Sequence, residues 1–249
     1  MRPFMRAVFR TVLTGLLFIV SQIVGMAYLV GLFFPRRLLA VLVAYGALSV
    51  SAIAVAPQTG RVPLPCWSEG TLKSQSVLYC LLHRHYVVPE LREVAQDLAD
   101  AVDAQFPGTV TLTLDASLPF GNFPLVPHLS HNDGRKLDLA FYYGDETGYR
   151  PGATRSPIGY FAFEEGPTAC EADLPTMRWN LEWLQPFWHD LSLEVERTRF
   201  AVQWLADDPR VTRIFLEPHL AQSLGLSSPK IRFQGCNAAR HDDHIHFEI

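Results

Sequence analysis

The chain has little excess charge of either sign. Its 249 residues carry 21 Lys and Arg against 25 Asp and Glu, a formal net charge of −4. That balance leaves no basic surface of the kind nucleic acids require, so no nucleic acid is expected as a partner. No internal repeat or low-complexity segment interrupts the sequence. Cysteine is scarce: Cys66, Cys80, Cys170 and Cys236 are the four, and no spacing among them is a C-x-x-C metal pattern. Four cysteines in an exported domain can form two disulfides in any of three pairings. Their placement beyond the apolar N-terminal region favours bridges over buried thiols.

Charge is missing altogether from residues 11–34 and again from 38–56, on either side of Pro35-Arg36-Arg37. Each run is close to the ~20 residues that cross a bilayer core of about 30 Å. A cleavable signal peptide has an apolar core of only about 7–15 residues, so two membrane-anchoring segments are expected over 1–56. Arg2, Arg6 and Arg10 before the first run, counted with Arg36 and Arg37, favour a hairpin that returns the rest of the chain to the cytoplasm. The chemistry argued below requires the opposite. The expected location is therefore the inner (cytoplasmic) membrane, with the catalytic domain on the periplasmic side. Pro57, Gly60, Pro63 and Pro65 mark 57–68 as a linker, and 69–249 has the size of one globular domain.

Within that domain, residues 89–106 read as a helix, with Pro89 in its first turn and Leu91, Val94, Leu98 and Val102 on one face. Residues 109–116 alternate as a strand does. The Pro-, Gly- and Asn-rich stretch 118–135 must be loop, followed by expected strands at 137–143 and 158–163. Residues 176–206 read as mostly helical, with a break at Pro186. Further strands are expected at 211–216, 231–233 and 244–249, with a short helix at 218–224. Helices and strands mix without β-α-β alternation, which predicts an α+β domain: a small, mostly antiparallel sheet with flanking helices. Trp179, Trp183, Phe187 and Trp188 read as core, and His83, His85, His189 and His219 as surface or turn positions.

Three of the nine histidines fall in the last nine residues, as His241-Asp242-Asp243-His244-Ile245-His246. Residues two apart on a strand face the same way, so His244 and His246 project together with Cα atoms roughly 6.5–7 Å apart. One can bind a metal while the other reaches the metal's water. His241 is an odd number of residues from both and can join them only from a loop. Upstream, His131 sits in a loop, Gly134 permits a tight turn, and Asp138 opens an apolar strand, where a carboxylate is costly unless paired or bound to a cation. His131, Asp138 and one of the pair His244 and His246 make three zinc ligands with an open fourth position, the pattern of a catalytic rather than a structural site. Zinc lowers the pKa of a water in that position toward ~7.

The order of these residues resembles the LAS metallopeptidases, which include lysostaphin-type, D-Ala-D-Ala and hedgehog-like domains. The closer similarity is to the penicillin-insensitive murein endopeptidases. It rests on Pro119-Phe120-Gly121, on Ser130-His131 through Gly134 to Asp138, on the segment 208–218, and on His241 through His246. The stretch 122–129 is longer than that family's pattern, and the apolar N-terminal region is not typical of it. The resemblance implies a LAS/hedgehog-like zinc peptidase domain in which His131, Asp138 and His246 bind zinc. It implies that His244 acts as general base or oxyanion stabiliser, with His241 assisting, and that the substrate is a D-Ala-containing cross-link amide of peptidoglycan. Two rival expectations share the site. One is a D,D-carboxypeptidase or dipeptidase, with Arg135 or Lys136 holding the terminal carboxylate. The other is a membrane-tethered binding module whose zinc is not catalytic.

Overall fold

The computed structural model describes residues 2–126, 128–168, 170 and 176–249; Pro127, within the loop expected over 118–135, lies outside them. Two apolar runs at the N-terminus form three helices: α1 (Arg2–Val20), α2 (Gln22–Gly31) and α3 (Arg37–Val55). The first run does not continue as one span because Ser21 interrupts it. Its backbone is extended (φ −159°) and its hydroxyl accepts the Val24 N–H as the N-cap of α2. A helix of ten residues reaches only about 15 Å, half of a bilayer core. Among the described residues one helix, Arg37–Thr59, is long and apolar enough to cross a membrane, with a mean hydropathy of 2.3. The expectation of two spanning segments is corrected accordingly.

The remainder is α+β, as expected, but its sheets are mixed. β1 (Val62–Pro63) pairs antiparallel with β3 (Tyr86–Val87), so part of the expected linker 57–68 is tied into the domain. The main sheet has six strands, the others being β2 (Leu72–Ser74), β4 (Thr111–Thr113), β5 (Lys136–Ala140), β9 (Arg213–Phe215), β10 (Ile231–Arg232) and β11 (His244–Glu248). Their order is β10-β9-β11-β5-β4-β2. The outer pairs β10–β9 and β2–β4 are parallel, and the three inner pairs antiparallel. A small third sheet joins β6 (Tyr143–Asp145), β7 (Gly148–Tyr149) and β8 (Ser192–Leu193).

The core forms between one face of the main sheet and two amphipathic helices, α5 (Pro89–Gln105) and α6 (Val195–Asp207). On α5, Leu91, Val94, Leu98 and Val102 are fully buried, the stripe read from the sequence. They meet Ala201, Val202 and Leu205 of α6, and Leu137, Leu139, Ile245 and Phe247 of the two central strands. Period-two alternation then sends Asp138, His244 and His246 to the opposite face. Two short helices, α4 (Val77–Leu81) and α7 (Pro218–Ser223), complete the domain.

Three local readings are revised. Residues 158–163 form no strand; Phe161 adopts a left-handed φ of 65°, and its carbonyl accepts from the side chains of Gln185 and Trp188. Those two contacts divert 176–194 from a helix into a 3-10 turn at Glu182–Phe187 followed by β8, so only α6 remains helical. Trp183 and Phe187, read as core, are 70% and 77% exposed. His83, His85 and His219, read as surface, are buried.

Candidate metal centre

The central strands bring two ends of the sequence together. β5 and β11 pair antiparallel with Asp138 directly opposite His246, and β9 places Phe215 on the other flank of His246. Asp138 lies in the middle of β5, fully buried, rather than opening the strand. His131 reaches it from the preceding loop. The His131 ring Nδ1 donates to the Ala116 carbonyl at 2.7 Å, which leaves the Nε2 lone pair facing the strands.

Three donor atoms then converge. His131 Nε2 lies 3.1 Å from His246 Nδ1 and 3.2 Å from Asp138 Oδ1, and the last two are 2.8 Å apart. A tetrahedral ion with ligand bonds of about 2.0–2.1 Å has ligand–ligand edges of roughly 3.3 Å, so the triangle has the dimensions of one face of such a shell. The His246 Nε2 faces Glu248 at 3.6 Å, beyond hydrogen-bond reach, while Nδ1 faces the other two donors. The residues fit a bound metal ion on this donor chemistry alone. His241, His244 and His128 extend the cluster, and the groups His241–His244–His246 and His128–His131–Asp138 could each contribute to holding an ion.

The second oxygen of Asp138 is held separately. Tyr160 donates its hydroxyl to Asp138 Oδ2 at 2.6 Å, and His128 Nδ1 lies 2.9 Å from the same atom. Burial alone would raise the Asp138 pKa, but His131, His244, His128 and His246 around it hold the carboxyl well below its usual range. The same burial, reinforced by Asp138, pushes the Tyr160 phenol well above its ordinary value, so it remains a donor. Asp115 lies behind this layer, clamped by the Arg84 guanidinium at 2.6 and 2.7 Å.

His244 shares the cleft face with His246 but not the triangle. Its Nδ1 is bonded to Asp243 at 2.5 Å, and its Nε2 points to Asp138 Oδ2 at 3.7 Å. Asp243 is itself fixed by the Phe161 N–H at 2.6 Å. Burial works against the charged imidazole, but Asp138 and Asp243 outweigh it and bring the His244 pKa up to about 9. His241 lies on the loop before β11, its ring 5.0 Å from that of His244, and burial holds it well below its ordinary pKa. Glu217 pins that loop: its carboxylate accepts from the His241 N–H at 3.3 Å while its own N–H donates to the His241 carbonyl at 3.1 Å. Arg178, 1% exposed, pairs with Glu217 through two bonds of 3.0 and 2.9 Å.

All five site residues named from the sequence line one cleft of about 280 Å³, together with His128, Leu129, Met177, Gln234 and Asn237. His128, Tyr160 and the Arg178–Glu217 pair were not singled out as site residues from the sequence. The spacing His128-x-x-His131 is the only sequence signal for any of them. Arg135 and Lys136 are elsewhere, bonded to Glu90 and Asp133 respectively. The cysteines close as Cys66–Cys80 and Cys170–Cys236. Comparison with known proteins returns no matching family model and no matching curated protein.

Proposed function

We propose that the protein is a zinc-dependent peptidase acting on D-Ala-containing cross-link amides of peptidoglycan, built on a LAS/hedgehog-like domain. The observation that carries the reading is the triangle of His131 Nε2, Asp138 Oδ1 and His246 Nδ1, with edges of 2.8–3.2 Å beside an open cleft. When bound there, zinc supplies Lewis acidity toward the scissile carbonyl and activation of a water. The chain's own residues do the rest. A cation at the triangle would offset the Asp138 charge that raises His244, and His244, held by Asp243 with Nε2 facing the cleft, would then take a proton from the attacking water and return it to the leaving amine. His241, kept neutral by burial, offers a second imidazole at the cleft wall. Tyr160 fixes the orientation of Asp138.

The substrate class rests on the similarity of 119–138, 208–218 and 241–246 to murein endopeptidases. Arg135 and Lys136 are paired outside the cleft and no Lys or Arg is among the described residues that line it, which favours the endopeptidase over the carboxypeptidase reading. Two disulfides support an oxidising, extracytoplasmic compartment for the domain. Together with the apolar helix Arg37–Thr59, they support a location at the outer face of the cytoplasmic membrane. The test is digestion of purified murein by the zinc-loaded full chain beside His244→Ala. Cross-linked dimers falling to monomers with the parent alone support the reading. Stoichiometric zinc with persisting dimers and no release of D-Ala from uncross-linked peptides would instead support the non-catalytic module.

A further inference from the structure

A domain hung from the end of an apolar helix would touch that helix only at the exit. Here the contact begins much earlier. Tyr45 donates its hydroxyl to the Leu81 carbonyl of α4 at 2.8 Å, although Tyr45 lies only about 12 Å along α3 from Arg37. On the other helix the Gln22 side-chain amide makes a two-point bond with the Phe120 peptide, donating to its carbonyl at 2.7 Å and accepting its N–H at 3.2 Å. The domain is thus fastened to the sides of the apolar helices. If the α2–α3 hairpin enters a bilayer by its Pro35 end, the lipid–water boundary falls on the domain's own surface at these two places, about 12 Å from Arg37, and α3 is seated in one leaflet rather than crossing both.

Both places are free of charge. No Asp, Glu, Lys or Arg occurs between Lys73 and Arg84, or between Asp115 and Asp133. Both also expose large apolar side chains: Val77, Leu78 and Leu81 of α4 are 44–51% exposed, and Phe123, Val126 and Leu129 are 61%, 44% and 56% exposed. The two segments adjoin, since Arg84 donates to the Val126 carbonyl at 3.0 Å. Trp67, 77% exposed and next to the cysteine bridged to α4, adds the side chain most at home at a membrane interface. The second segment is also the site loop. It carries His128 and His131, and Leu129 lines the cleft.

We propose that residues 120–126 and 128–130, together with α4, form a lipid-contacting surface continuous with α2 and α3, so that the lip of the cleft rests on the bilayer and the site takes amide substrates presented at the membrane surface. The occupant is a lipid bilayer. Arg61 makes the coupling stiff: its guanidinium donates to the carbonyls of Leu118, Gly121 and Asn132, each at 2.9 Å, so the loop that meets lipid is the loop that sets His131. The substrate consequence rests on the proposed peptidase activity; the lipid contact rests only on α2 and α3 entering a bilayer.

The experiment uses the full chain in nanodiscs of phosphatidylethanolamine and phosphatidylglycerol. Nitroxides are placed at Phe123→Cys and, as a water-exposed control on α6, at Gln203→Cys, labelled without reductant so that both disulfides stay closed. Relaxation by oxygen and by a water-soluble nickel chelate is compared. The expected result is a Phe123 label open to oxygen and shielded from nickel, with the reverse at Gln203. A Phe123 label open to nickel overturns the proposal. A label shielded from both also overturns it, because a second copy of the chain or another protein then covers the loop. A second measurement compares hydrolysis of a lipid-anchored cross-linked peptide with its soluble counterpart for Phe123→Asp/Val126→Asp. Loss of roughly tenfold or more is expected toward the anchored peptide alone. Equal loss toward both would mean that the loop only supports the fold. If the parent binds no zinc and cuts neither peptide, the peptidase reading fails while the nitroxide result still decides the lipid contact.

Discussion

Asp138 carries more of the site than any other side chain, because each of its oxygens has a separate task. Oδ1 faces His131 and His246, and Oδ2 is gripped by Tyr160 and His128. Asp138→Asn keeps the size but removes the charge that balances a cation, and should abolish stoichiometric zinc binding measured by metal analysis after dialysis. Tyr160→Phe removes only the hydroxyl. Loss of such a supporting bond typically weakens metal affinity by roughly 10–100-fold, and a competition titration against a chromogenic chelator reads it directly. His244→Ala should leave zinc content at the parent level while hydrolysis falls by about 10²–10⁴, the share general acid–base catalysis commonly supplies. Zinc loss in that variant would move His244 into the ligand set. His244 and His246 were legible because strand alternation and a short His-x-His spacing are local patterns, and Asp138 because a carboxylate in an apolar strand needs a cation. His131 and His241, both on loops, were carried by the order of the motifs. Tyr160 was not legible, since its contact with Asp138 depends on a left-handed turn at Phe161 that no neighbouring residue announces.

At the scale of elements, the cleft wall depends on a buried ion pair. Arg178 and Glu217 are both 1% exposed, and Glu217 in turn makes two backbone bonds with His241. Breaking one partner of such a pair leaves an uncompensated buried charge. Glu217→Gln should therefore cost about 3–5 kcal/mol in urea unfolding, whereas Arg178→Met with Glu217→Leu should recover most of that loss. The wall itself was not legible in sequence. The apolar stripe at Leu181, Leu184, Trp188 and Leu191 has helical spacing, yet Pro186 interrupts a helix there and the Gln185 and Trp188 side chains donate instead to the Phe161 carbonyl. By contrast α5 was read almost residue for residue, because its buried face, its Pro89 start and its acidic outer face all favour one conformation. The N-terminal run misled for the opposite reason. Absence of charge measures apolarity, and nothing in it records that Ser21 caps a new helix and divides the run.

The whole molecule is tied by two covalent links that the sequence left open among three pairings, since connectivity depends on which loops the sheet brings side by side. Cys170–Cys236 spans 66 residues and joins the segment before Arg178 to the loop of Gln234 and Asn237, both of which line the cleft. Cys66–Cys80 spans 14 and ties the first strands of the domain to α4. Chain entropy makes the longer loop the stronger constraint, with contributions of roughly 4 and 3 kcal/mol respectively. Reductant should therefore lower the urea midpoint of the full chain. Cys170→Ser/Cys236→Ser should account for the larger part of that drop and Cys66→Ser/Cys80→Ser for the smaller. The two pairs should also separate functionally. Releasing Cys170–Cys236 frees the wall beside His241 and should weaken turnover before it weakens zinc binding, because His131, Asp138 and His246 are held by β5, β11 and the Ala116 carbonyl rather than by that wall. A Cys170→Ser/Cys236→Ser chain that loses zinc in parallel with stability would show instead that the cleft wall and the ligand triangle fold as one unit.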